Sequence, residues 1–177
     1  MKLKTIKIIS VLGIFLLSFL THYIYEIFPC FLTSIIFPVN ESLFEHMKLI
    51  FITYLLWNII EYFLLKKNNY EYNFKPSLLL SIILNIIIFL IIFYPIYLNT
   101  KHNLVITLII YFITIALTQI ISYYILKSNK EFNFMKKYFF IFIIFLTFIS
   151  GIFTYYPLKT NFFIDKMNKK IGLNNYY

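Results

Sequence analysis

Two histidines, three glutamates and one lysine fall in two short stretches flanking a single loop, and it is these groups that have the chemistry to bind or activate a substrate. Ser18, His22 and Glu26 follow one another at i, i+4 and i+8, which stacks them on one face of a helix. The chain then returns through Phe37-Pro38-Val39-Asn40-Glu41-Ser42-Leu43-Phe44-Glu45-His46-Met47-Lys48. Imidazole and carboxylate groups at helical spacing suit zinc, manganese or iron, and a further glutamate is then left to act as base on a bound water. On this view His22, Glu26 and His46 are ligands of a divalent metal such as zinc. Glu45 or Glu41 is the acid/base, and Lys48 and Asn40 stabilise developing negative charge. The spacing departs from the H-E-x-x-H arrangement of zinc peptidases.

The same residues have plainer uses. Ser42 followed by Glu45 fits a capping box, in which a hydroxyl and a carboxylate satisfy free N–H groups at a helix start. On that helix Glu41, Glu45 and Lys48 share one face, while Ser42 and His46 share a neighbouring one. A Glu–Lys–His network can also serve only to hold two helices in register, or it can bind an ion or solute. Glu61 and Asn58 read as a separate structural pair. His102 reads as a solvated loop residue and Trp57 as packing.

The elements that must position these groups are membrane spans. Of 177 residues, 61% are hydrophobic and 22% aromatic, and mean hydropathy is +0.81. Ordinary globular domains are about half apolar and a quarter charged, so a soluble fold has no way to hide this much apolar surface. A helix needs about 20 apolar residues to cross roughly 30 Å of hydrocarbon. Five such runs occur, approximately 6–28, 43–65, 77–98, 104–126 and 138–156, and the first reads as a retained anchor because no small-x-small cleavage site follows it.

All basic residues are lysines, and the net charge is +9. They gather between the apolar runs rather than along a continuous stripe, which argues for membrane orientation and against nucleic acid as a partner. Lys2, Lys4 and Lys7 precede the first span, Lys66, Lys67 and Lys75 follow the second, and Lys127, Lys130, Lys136 and Lys137 separate the last two. Those segments belong on the cytoplasmic side, so the N-terminus is inside and the C-terminus outside. The tail 157–177 falls outside despite Lys159, Lys166, Lys169 and Lys170. Short connections and the absence of repeats predict a single domain over 1–177, an all-α polytopic bundle. Thr107, Tyr111, Thr114, Thr118 and Ser122 form one hydroxyl stripe, and Thr147, Ser150, Gly151 and Thr154 another. Both read as interhelical packing, as do Ser77, Ser81 and Asn85, which also suit the wall of a polar cavity.

With these motifs the chain resembles an uncharacterised prokaryotic integral-membrane family, domain of unknown function 6512, over nearly its whole length. The resemblance lies in His22-x-x-Tyr25-Glu26, in Pro38-Val39-Asn40-Glu41-Ser42-x-x-Glu45-His46-x-Lys48, and in a tail where Pro157, Phe163, Asp165 and Gly172 match a Pro, Phe-x-Asp, Gly pattern. Phe44 and Lys166 depart from it, standing where relatives carry Trp and Pro. The resemblance implies that Asp165 belongs with the candidate catalytic residues, and it names no substrate.

The sequence therefore predicts a multi-pass protein of the cell membrane with a polar cluster at its outer boundary. The expected function is a metal-dependent hydrolase acting on a lipid or lipid-linked substrate. The alternatives are a scaffold for other membrane proteins, whose cluster is structural, and a small ion or solute transporter.

Overall fold

The computed structural model describes residues 1–99 and 103–175, so the expectation for His102 lies outside the described residues. The architecture is all-α, with five helices long and apolar enough to cross a membrane, consistent with a multi-pass membrane protein. They are α1 (Leu3–Ile27), α3 (Leu43–Lys67), α4 (Phe74–Asn99), α5 (Leu104–Lys127) and α6 (Asn133–Tyr155). A short helix absent from the sequence expectation, α2 (Phe31–Ile36), interrupts the first long loop.

Helices α1, α3, α4 and α5 close a four-membered ring, in which each packs on two of the others, while α6 leans on α4 and α2 from outside. Ile14, Ile50, Tyr54, Ile82, Phe89 and Ile115 fill the ring. The outer faces keep their large apolar side chains exposed, among them Ile91, Leu104, Ile144 and Phe148. Lipid covers such a surface without cost, so the inward faces are left to carry small and polar residues that let helices approach closely. Gly13 is one place where this is strict, because a side chain there would collide with the ring of Trp57.

Local signals set the helix ends. The Ser42 hydroxyl accepts from the Glu45 N–H at 3.3 Å and starts α3, and the Asn103 side chain accepts from Val105 and Ile106 to start α5. Only half of the expected capping box forms, for the Ser42 N–H donates to Asn40 Oδ1 at 2.8 Å and the Glu45 carboxylate turns elsewhere. After α6 the chain folds back as a three-stranded antiparallel meander, β1 (Ile164–Asp165), β2 (Lys170–Ile171) and β3 (Asn174–Asn175). Gly172 supports this return with φ of 54°, a left-handed conformation, and a side chain at that position would strike the Thr154 carbonyl. The N-terminus and the described part of the tail sit at opposite ends of the bundle: the N-terminal amine meets Asn68 after α3, whereas Phe162 of the tail meets Phe44 at the start of α3.

Candidate functional site

The predicted residues do converge at one end of the bundle, but they divide into three groups with different surroundings. The first is a buried clasp. Glu45 and Lys48 pair at 2.6 Å with both side chains almost fully enclosed. Lys48 Nζ also donates to the Ser34 carbonyl and to Thr154 Oγ1, each at 2.8 Å. Glu45 accepts from Thr154 Oγ1 at 3.1 Å and from the Val39 N–H at 3.2 Å. The pair thus ties α3 to α2, α6 and the preceding loop, and its hydrogen-bonding capacity is spent on protein.

Tail attachment occupies the second group. Asp165 is fully buried, and its carboxylate accepts from the N–H groups of Glu41, Met167 and Asn168 and from the Asn168 side chain. Asn40 Nδ2 donates to the Gly172 carbonyl at 2.8 Å. The Phe44 N–H donates to the Phe162 carbonyl, and the Tyr97 hydroxyl to the Ile164 carbonyl. Both Asp165 and Asn40 are therefore held in backbone contacts that set the loop and the tail.

The third group surrounds open space. A cavity of about 330 Å³ lies among α1, α3, α4, α5 and the tail, with His22, Glu41, His46, Tyr111 and Asn168 among its lining residues. Glu41 is central. Its Oε1 lies 3.1 Å from His22 Nε2 and its Oε2 lies 3.7 Å from His46 Nε2. Helix α3 begins at Leu43, so Glu41 precedes it and does not share the Glu45 and Lys48 face predicted from helical spacing. That displacement is what frees its carboxylate to meet the histidines.

Hydrogen-bond roles follow from the partners. A carbonyl only accepts, so His46 Nδ1, 2.9 Å from the Ser42 carbonyl, carries a hydrogen, and whenever the ring is neutral the lone pair is on Nε2. An ionised carboxylate also only accepts, so His22 Nε2 donates to Glu41, and His22 Nδ1 has no partner among the described residues. The buried Tyr111 hydroxyl makes no hydrogen bond of good geometry, although the side chains of Thr53 and Ser18 lie close enough to interact with it.

Glu26 does not join this group. It stands exposed on the last turn of α1, where its charge acts on His22 but, among the described residues, its carboxylate makes no ion pair with either histidine. The expected ligand set of His22, Glu26 and His46 is therefore not assembled. Among the described residues no group of three or more His, Cys, Asp or Glu side chains is placed to hold a metal ion.

At the opposite end, Lys7 is buried against Glu61, with Gln119 and Ser122 also within hydrogen-bond reach of its amine. This corrects one expectation: Glu61 pairs with Lys7 and Ser10 rather than with Asn58. The Asn58 side chain donates instead to the Tyr54 carbonyl. A lysine inside the first turns of an apolar helix was the available signal for this pairing. No comparable signal marked Met167 and Asn168 as cavity residues, since their role depends on the tail's return.

Fold and site together define a small polytopic membrane bundle with an ionisable cavity at one end. No curated protein and no solved structure matches it significantly. The chain belongs to a family of unknown function (DUF6512), whose family model matches residues 1–173.

Proposed function

We propose that this cavity binds the polar end of a lipid or lipid-linked molecule and that His22, Glu41 and His46 hydrolyse it by acid–base chemistry. One observation carries the reading: the cavity places a carboxylate between two imidazoles at its polar end, while its rim includes Phe19, Tyr23 and Leu104, which are exposed on the apolar outer surface. An amphiphile entering sideways from the bilayer would leave its chains among those residues and bring its headgroup to the histidines.

The neutral His46 ring offers Nε2 as a base for a water molecule. Taking up that proton makes it an imidazolium, which the nearby Glu41 carboxylate stabilises. His22, oriented by the same carboxylate, is the second group able to exchange a proton with the headgroup. The lysine distribution supports placing this end outward, hence against the outer leaflet of the cell membrane. A divalent metal such as zinc stays outside this reading, because the ligand set that was to hold it lacks Glu26.

Asn40, Glu45, Lys48 and Asp165 enter only as supports. Their saturated hydrogen bonding favours, for these four, the structural role that the scaffold alternative assigned to the whole cluster.

The test uses purified full-length protein in mild detergent. Native mass spectrometry of the wild type should show a retained lipid, and Ile50→Trp, which fills the cavity, should remove it. Incubation with fluorescent phosphatidylglycerol should give hydrolysis that falls about 100-fold or more in His46→Ala and Glu41→Gln while lipid retention persists. Wild-type protein that carries no lipid overturns the binding site. Retention without hydrolysis, or equal hydrolysis by His46→Ala, overturns the chemistry.

A further inference from the structure

The ring of four helices is polar along its axis as well as at its ends. Starting from the Lys7–Glu61 pair, Lys7 Nζ reaches Gln119 Oε1 at 3.2 Å and Ser122 Oγ, and the Ser122 hydroxyl continues to Ser77 Oγ at 2.6 Å. At mid-bundle the fully buried Tyr54 hydroxyl meets Thr118 Oγ1 at 2.7 Å, accepts from Asn85 Nδ2 at 2.8 Å and also interacts with Gln119. Thr114 Oγ1 donates onward to Asn85 Oδ1 at 3.3 Å. One helical turn nearer the cavity on α5 lies Tyr111, which lines that cavity and whose buried hydroxyl interacts with Thr53 and Ser18. Lys7 and His22, on one helix, are about 22 Å apart at 1.5 Å per residue, so this network extends through most of a bilayer core.

Packing alone explains small hydroxyl residues on helix faces, but not a buried ion pair at one end, an ionisable triad at the other, and bonded side chains between them. Intramembrane ionisable groups are costly and characteristically mark ion paths and proton relays. We propose that the bundle interior carries protons between the Lys7–Glu61 pair and the His22–Glu41–His46 cluster.

The step balances without redox chemistry. A proton taken up by the Glu61 carboxylate moves to Lys7 as Lys7 Nζ gives one of its own to Ser122 Oγ, and it is passed on as each hydroxyl or water accepts one proton on its oxygen and releases its own to the next. The net result is one proton lost at Glu61 and one gained by a histidine or Glu41. Water bridges the three intervals that no bond between hydroxyls spans: from Ser122 to Tyr54 past the Gln119 amide, from Thr118 to Thr114 past the Asn85 amide, and from Thr114 to Tyr111. This proposal rests on the axial network and is independent of lipid hydrolysis.

Liposomes of phosphatidylcholine and phosphatidylglycerol containing the full chain and an internal pH-sensitive dye provide the test. A valinomycin-clamped potassium gradient supplies the driving force. Proton entry should be several-fold faster than in protein-free vesicles, and Tyr54→Phe and Glu61→Gln should each return it close to the protein-free rate. Tyr54→Phe deletes one oxygen and keeps the ring, so its folding can be verified by circular dichroism and gel filtration even where Glu61→Gln fails to fold. Wild-type entry equal to that of empty vesicles overturns the proposal, and so does unaltered entry through folded Tyr54→Phe.

Discussion

The Asp165 carboxylate accepts the backbone N–H of Glu41 at 3.0 Å, so a residue beyond all five spans fixes the start of the loop that carries the central carboxylate of the cavity. The contact joins tail to loop directly, and it is backed by three further N–H groups on the same carboxylate.

Asp165→Ala strands these donors, each with an unsatisfied-group cost of about 1–3 kcal/mol when buried. Thermal unfolding in detergent should show a loss of about 2–4 kcal/mol, part of the cost being relieved as the freed tail meets water. Limited trypsin digestion should cut at Lys166, Lys169 and Lys170 faster than in the wild type. Equal protease resistance would mean that the tail is held by other contacts.

For the Glu45–Lys48 clasp, removing one partner leaves a buried charge. Glu45→Gln and Lys48→Met should each destabilise the protein by about 3–5 kcal/mol, whereas the double variant should recover much of that loss. Chemical denaturation of the three proteins forms the cycle, and additive losses would show that the two side chains act separately.

Gly13 lets α1 approach the Trp57 ring. Gly13→Ala should therefore force the ring aside at a cost of about 1–3 kcal/mol, despite the higher helix propensity of alanine. The pair Gly13→Ala/Trp57→Leu should relieve it. A Gly13→Ala variant as stable as the wild type would show that the indole moves freely.

Cys30 lies in the exposed turn between α1 and α2, at the cavity end. The Thr33 hydroxyl hydrogen-bonds its sulfur at 3.4 Å and, with the Thr33 backbone, holds the thiol below its ordinary value. Since the thiolate is the reactive form, alkylation should rise at lower pH than for free cysteine, and Thr33→Val should move the profile upward. Membrane-impermeant maleimide added to intact cells should label Cys30. Labelling only after lysis would reverse the proposed orientation.

The spans were legible because bilayer thickness imposes a length that an apolar run either meets or does not. The predicted 43–65 and 104–126 correspond to α3 (Leu43–Lys67) and α5 (Leu104–Lys127), with small extensions into polar ends. His22 and His46 could be brought together from the sequence because one loop joins α1 to α3, so their depths are linked. Glu26 and Glu41 differ from the helical-spacing expectation for local reasons: Glu41 precedes α3, so its carboxylate turns to the histidines rather than along the Glu45 face, and Glu26 lies exposed on the last turn of α1. Asp165 was visible only through family resemblance, because its place depends on a tail whose contacts reach back more than a hundred residues. The hydroxyl stripe of α5 was read correctly as inward-facing, but its partners Tyr54 and Asn85 belong to helices whose rotation no single-chain periodicity reveals.

The position of the meander gives assembly a definite order. The histidines belong to α1 and α3, early in the chain, yet the cavity lacks the wall formed by Met167 and Asn168 until the segment after α6 has docked. A chain stopped before this segment would carry every ionisable group of the triad and still lack part of the cavity wall. Completion of the site is thus coupled to completion of the fold.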